Sequence, residues 1–184
     1  MVSSSFFRSQ EFQLKGFFVY RFYKASLGRQ PTYEEFLRDM SNVSGETDAE
    51  VNARREAFAD LWVSRADFRA LMETVSNAEY VDQLAARAGI TIANREALVN
   101  DLNAGRRTRA QALRAVVDSP ELFNREFNPA FVLIQYFGYL QRDPDPEGYE
   151  SWLEQLNATG DFRTMIFGFL YSREYISRFG PPIN

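Results

Sequence analysis

The 184-residue chain contains no cysteine and no histidine. Those two absences exclude disulfide bridges, zinc sites built on thiolate or imidazole, cysteine nucleophiles and every triad that needs an imidazole base. No apolar run exceeds about five residues, far short of the ~20 that span a bilayer. No basic segment followed by an apolar stretch opens the chain. Acids outnumber bases by 25 to 21, for a net charge of −4. The bases are mostly arginine and alternate with acids, as in Arg54-Arg55-Glu56 and Arg65-Ala66-Asp67. That is the pattern of a solvated, salt-bridged helix face, and it lacks the clustered Lys/Arg excess of a nucleic-acid footprint. A glycine-rich loop able to cradle phosphate is also missing.

What the chain does have is rings: 17 Phe and 9 Tyr, a load that favours a packed interior over disorder. Apolar residues recur at helical spacing nearly throughout, and no segment sustains strand alternation. Helix starts are marked by a hydroxyl followed three residues later by a polar partner, at Thr32-x-x-Glu35, Ser64-x-x-Asp67, Ser76-x-x-Glu79 and Thr108-x-x-Gln111. Ser119-Pro120-Glu121 and Asp145-Pro146-Glu147 place cap, proline and acid in order. Gly105 and Gly160 sit where left-handed C-caps end helices. These signals predict helices near 9–28, 33–40, 48–63, 65–74, 77–88, 95–104, 109–118, 120–126, 129–141, 146–157, 161–171 and 173–178, with an exposed loop at Asn42–Asp48. The predicted fold class is all-α.

The same theme recurs along the chain: an aromatic helix, a short Arg-x-Pro turn, then further helix. An offset of 113 residues superposes Phe18 on Phe131, Val19 on Val132, Tyr23 on Tyr136, Arg29 on Arg142 and Pro31 on Pro144. A weaker middle copy has Tyr80–Leu84, Glu96–Leu102 and Ala110–Val117 as its three helices. Related short helices close the copies at Arg65-Ala66-Asp67-Phe68, Ser119-Pro120-Glu121-Leu122 and Ser172-Arg173-Glu174-Tyr175, with a further one at Ser9-Gln10-Glu11-Phe12. The acid in each faces the positive end of its helix while the following apolar group enters the core. The expectation is a single all-helical domain over 1–184, built from repeated three-helix units at about 11–75, 76–127 and 128–179. The abrupt start at Met1–Phe7, running straight into a helical pattern, reads as a cut within a larger protein.

The best candidate for chemistry is Asp143–Glu154. Its acids Asp143, Asp145, Glu147 and Glu154 occupy positions 1, 3, 5 and 12 of a calcium loop, with Gly148 at position 6. Against it stand Pro144 and Pro146 at positions 2 and 4, Glu150 at position 8, and a first copy, Gln30-Pro31-Thr32-Tyr33-Glu34-Glu35, that has no glycine. The alternative is an Arg-Asp-Pro turn with Asp145 as N-cap, Pro146 in the first turn and Trp152 entering the core. Arg29 and Arg142 could recognise an anion, or tie down free carbonyls of the preceding helix, or pair with an acid such as Glu34 or Glu147. The rings at Phe17–Tyr23, Tyr136–Tyr139 and Phe167–Tyr171 could be interior packing, line a pocket, or form an exposed partner surface. An enzyme would have to work with carboxylates alone, from Glu34, Glu35, Asp82, Glu96, Asp101, Glu150 and Glu154, as glycoside hydrolases do. Nothing in the spacing pairs two of these across a cleft. The residues singled out are therefore structural: Arg29, Pro31, Thr32, Arg142, Pro144, Asp145, Gly148 and Trp152, with no catalytic, cofactor or metal set.

The segment from Phe131 to Tyr175, with Tyr136, Arg142, Pro144, Asp145, Gly148, Trp152 and Ser172-Arg-Glu-Tyr175, resembles the repeat of a bacterial family of unknown function. Phe18 to Phe68 matches that repeat at Leu27-Gly28-Arg29-x-Pro31, with Thr32 for aspartate and without the Gly and Trp. The run is also similar to the C-terminal region of large exported bacterial proteins, where such repeats follow Calx-beta or similar adhesive modules. Ala112–Phe127 and the helix after it are similar to the helical linker domain of phycobilisomes, a protein–protein scaffold. The resemblance implies a non-catalytic module on secreted or surface polypeptides, with a protein partner or neighbouring domains of the same polypeptide as its contacts. It names no ligand or cofactor.

Overall fold

A computed structural model describes residues 10–181, with side chains from residue 15 onward. The start at Met1–Phe7 and the copy of the closing helix at Ser9–Phe12 lie outside the residues so described. Among the described residues there are eleven α-helices and no strand, so the fold is all-α. In order they are α1 (Gln10–Leu27), α2 (Tyr33–Met40), α3 (Asp48–Val63), α4 (Ala66–Met72), α5 (Asn77–Ala88), α6 (Arg95–Asn103), α7 (Arg109–Val117), α8 (Pro120–Gln135), α9 (Pro146–Thr159), α10 (Phe162–Leu170) and α11 (Arg173–Phe179). None is long and apolar enough to cross a membrane. The helices divide into two units, one of residues 18–125 and one of residues up to 17 together with 126 onward.

The caps read from sequence set most of the boundaries. Thr32, Ser76 and Thr108 each form a full capping box with Glu35, Glu79 and Gln111. Asp145 accepts from the Gly148 N–H at 2.9 Å and starts α9 with Pro146 in its first turn. Ser64 differs from expectation. It closes α3, its hydroxyl donating to the Leu61 carbonyl at 2.6 Å, and Arg65 stands at the N-cap of α4. The loop expected at Asn42–Asp48 begins inside a 3₁₀ turn, Ser41–Val43, whose Val43 is fully buried.

The largest departure is at Pro129. Separate helices were expected at 120–126 and 129–141, but α8 is continuous and runs through Pro129, which has no N–H to donate. Helix α9 braces both sides of the interruption. Asn128 donates to Asn157 at 2.8 Å, and the Tyr149 hydroxyl donates to the Pro129 carbonyl at 3.1 Å. Beyond Gln135 the helix widens into a π turn, Tyr136–Leu140, all five residues of which are buried. Gln141 then ends it in the left-handed region at φ 51°. Gly28 occupies the matching position in the first copy at φ 72°. Left-handed geometry costs a residue with a Cβ about 1–2 kcal/mol, and glycine almost nothing.

In the 18–125 unit the core is a ring cluster. Phe22 meets Phe58 at 5.0 Å and Trp62 at 5.3 Å, and Tyr23 meets Trp62 edge-on at 4.8 Å. Arg21 is buried there too, donating to the Val117 carbonyl at 2.7 Å, and burial pulls its guanidinium down to about 10. In the other unit, Tyr136 and Tyr139 pack on Phe169, with centroids 4.8 and 6.1 Å apart. The strained corner residue yields a direct test: Gln141→Gly is expected to raise unfolding free energy by about 1 kcal/mol in urea denaturation. No gain would mean that Gln141 carries no backbone penalty.

Candidate functional site

The motif residues form a corner at the end of each aromatic helix. In the last copy Arg142 lies over the Tyr136 ring, with its guanidinium carbon 5.4 Å from the centroid. Its Nη1 donates to the Asp143 carbonyl at 2.7 Å. Its Nε and Nη2 reach both oxygens of Glu174 in the closing helix α11, each at 2.8 Å, and Nη2 also reaches Asp145 at 3.2 Å. The fork geometry of arginine is what allows one group to hold a turn, an N-cap and a distant helix together. Those hydrogen bonds hold the Glu174 carboxyl below the usual carboxylate range, and the Gly148 N–H does most of the same for Asp145.

The first copy repeats the plan with one substitution. Arg29 lies over Tyr23 at 5.2 Å and its Nη1 donates to the next carbonyl, Gln30, at 3.0 Å. Its carboxylate partner is Glu35, bound through both oxygens at 2.7 Å. Glu34 and Glu147, the acids expected to pair with these arginines, are replaced by Glu35 and Glu174. The reason is positional. Glu35 is the third helical residue, and a carboxylate there turns back to the Thr32 N–H at 2.9 Å and hence toward the corner. Its counterpart in the last copy is Gly148, which has no side chain, so Arg142 takes Glu174 instead. The arginines also bind the carbonyl that follows them, Gln30 and Asp143.

Gly148 is required by close approach. A Cβ at that position would lie 2.5 Å from both the Asp145 Oδ2 and the Tyr136 hydroxyl. Burial, with Asp145 adding to it, pushes the Tyr136 hydroxyl up to about 12, so it stays protonated. Trp152 is half-buried, short of the core position expected, and stacks on Phe169 at 5.7 Å. Gly168 makes room for it, since a Cβ there would overlap the indole.

One polar cluster was not foreseen. The 113-residue offset puts Asp39 where the last copy has Trp152. Asp39 is fully buried and takes both terminal nitrogens of Arg65, at 2.6 and 3.1 Å, and the Tyr23 hydroxyl at 2.7 Å. Arg65 in turn lies 3.9 Å over Trp62. The missing tryptophan in the first copy was the signal that this slot needed a different filling.

The acids considered for glycan hydrolysis are tied to arginines where contacts are resolved. Asp82 and Glu96 bind Arg95, at 2.6 Å each, and Asp101 binds Arg106 at 2.8 Å. Among the described residues no three acids converge as a metal-binding group. Of the expected ring surfaces, Phe17–Tyr23 is buried, while Phe167 and Tyr171 lie exposed on either side of buried Phe169.

Residues 125–179 match the family described as "Domain of unknown function (DUF4214)". No curated protein and no solved structure matches the chain. The matched stretch contains the complete Arg142 corner, its π turn and its closing helix.

Two measurements test the corner. Gly148→Ala is expected to cost about 1–2 kcal/mol by overpacking, and adding Tyr136→Phe, which removes one obstructing oxygen, should return part of it in a double-mutant cycle. Equal loss with and without Tyr136→Phe would break that assignment. Arg29, ahead of the Thr32 N–H, holds Glu35 at about 2, down from an ordinary 4.5, although burial pushes the other way. A depressed carboxylate stabilises the fold above its ordinary value and ceases to do so as pH falls from 4.5 to about 2. Glu35→Gln keeps the capping box, so it should remove that acid-sensitive component, up to about 1 kcal/mol after solvent screening. Unchanged acid denaturation would show that the pair contributes nothing.

Proposed function

We propose that the chain is a non-catalytic protein-interaction or assembly module, carried by a larger, secreted or surface-associated bacterial polypeptide. The observation that carries this reading is the apolar surface of α10 and α11. Phe167 and Tyr171 are each 56% exposed, Phe179 45% and Ile176 39%, and α11 has no buried residue. Rings left open on a helical surface are the residues that dominate protein interfaces. The polar groups of the corner support the same reading, because they are spent on one another and on helix ends. The net charge of −4 gives no electrostatic reason to bind nucleic acid. A protein, or a neighbouring domain of the same polypeptide, is the partner this surface suits.

The test is affinity capture of native partners by the purified chain, in parallel with a Phe167→Asp/Tyr171→Ser variant. A partner retained reproducibly by the wild type and lost by the variant is the expected result. No reproducible partner, or equal retention by both, would remove the interaction reading from this surface.

A further inference from the structure

We infer that α11 is the seat for a helix of another protein, one that presents an aromatic ring and, seven residues on, an arginine. The inference rests on the interaction reading above and names the chemistry of the partner. Its basis is what covers the equivalent helix earlier in the chain. Aligning the closing helices on Arg65, Ser119 and Ser172 brings Phe68, Leu122 and Tyr175 to one position. Four residues later Met72, Glu126 and Phe179 share another. Phe68, Leu122, Met72 and Glu126 are all buried. In α11 Tyr175 is only half-buried and Phe179 is exposed. The last copy therefore leaves open a face that the two before it cover.

The cover over α4 shows what fits. Tyr80 of α5 meets Phe68 edge-on at 6.2 Å, and Arg87 of the same helix reaches the Met72 sulfur at 3.6 Å. Residues seven apart lie on one face of a helix, so α5 grips α4 with a ring at one end and a guanidinium at the other. Tyr175 and Phe179 offer the same two positions, and their four-residue spacing on one helix puts them on one face. Tyr175 rests against Tyr139 at 6.1 Å and touches Phe179 at 5.2 Å. Arg178 lies 5.6 Å over Phe179 and spends its guanidinium on the Leu140 carbonyl and Glu174. With both neighbours in place Phe179 is still exposed. An incoming ring would meet Tyr175 edge-on as Tyr80 meets Phe68, and an arginine would find a ring at Phe179 where Arg87 finds a thioether. Anchors spaced along one side of a helix are a recurring mode of recognition. A second copy of this chain does not supply them. The rings that open its three first helices, Phe18, Tyr80 and Phe131, are all buried already.

The probe is a peptide of residues 76–89, the capped α5 sequence, locked as a helix by a side-chain staple because a free helix of that length is marginal in water. Once circular dichroism shows it helical, it is titrated to about 1 mM into the full isotope-labelled chain, read by amide chemical shifts. Shifts at Tyr175–Phe179 are the expected result. Tyr80→Ser or Arg87→Ser in the peptide should each raise the dissociation constant roughly tenfold, as for loss of an interface anchor. Phe179→Asp in the chain should do the same. The peptide variants leave the protein untouched, so the test stands even if Phe179→Asp is destabilised. No shift at α11, shifts confined to Phe68–Met72, or equal binding by the variant peptides overturns the inference. A chain that ignores the peptide yet captures a protein through Phe167 and Tyr171 would sink only the chemistry assigned to the partner. A chain that also captures nothing would sink the interaction reading as well.

Discussion

A guanidinium resting on a tyrosine ring at the end of a helix is the contact around which the two clear copies are arranged. The ring is fixed from its edge by an aromatic side chain of the third helix: Trp62 against Tyr23 and Phe169 against Tyr136, both at 4.8 Å and at 82° and 86°. The arginine on its face then binds the carbonyl of the turn and a carboxylate placed by the next helix or the closing one. Each interaction alone is modest, about 0.5–2 kcal/mol for the cation–ring contact. Together they fix the turn between successive helices, the N-cap and the seat of the third helix through a single side chain. The middle copy is held differently. Its helix α5 ends at Ala88 with Gly89 as a left-handed cap, Ile90 stands where the corner arginine would be, and Arg109 lies over Tyr80 instead, 4.9 Å from the centroid.

Much of this was legible because it is local. Hydroxyl caps at Thr32, Ser76 and Thr108 announce their helices within four residues, and backbone N–H groups have few other ways to be satisfied. The internal offset located both arginines and their prolines. What escaped depends on contacts made across the chain. Pro129 breaks the local pattern, and the contacts beside it, from Asn128 to Asn157 and from Tyr149 to the Pro129 carbonyl, come from α9, twenty and more residues later. Ser64 carries a cap signal, but α3 runs to Val63 and Ser64 closes it. Glu174 is the acid of a closing-helix start, but nothing near it in sequence says that it faces Arg142. The choice of Glu35 over Glu34 could have been read in advance, since the third helical position is the one that turns back.

The ring surfaces show the limit of periodicity. Phe167, Phe169 and Tyr171 have similar character and near-identical spacing cues, yet Phe169 is the hub of its unit and the other two face outward. A helix with apolar groups on most of its circumference has no hydrophilic side to mark which is which. Burial in the folded chain, and not spacing, separates Phe169 from the other two.

One slot in the corner is filled in two incompatible ways. In the first copy it holds a buried carboxylate with the arginine that neutralises it, and in the last an indole lying over a glycine. Each solution uses a residue from the second helix and one from the third or its end, so neither half works with its opposite. Asp39 above Gly168 would be a charge without a partner, and Trp152 beside Leu61, the residue matching Gly168, would meet a side chain where it needs empty space. Once a duplicated pair of helices has settled on one filling, exchange of single helices between the copies is closed. They can diverge further, or be replaced whole, but they no longer trade parts.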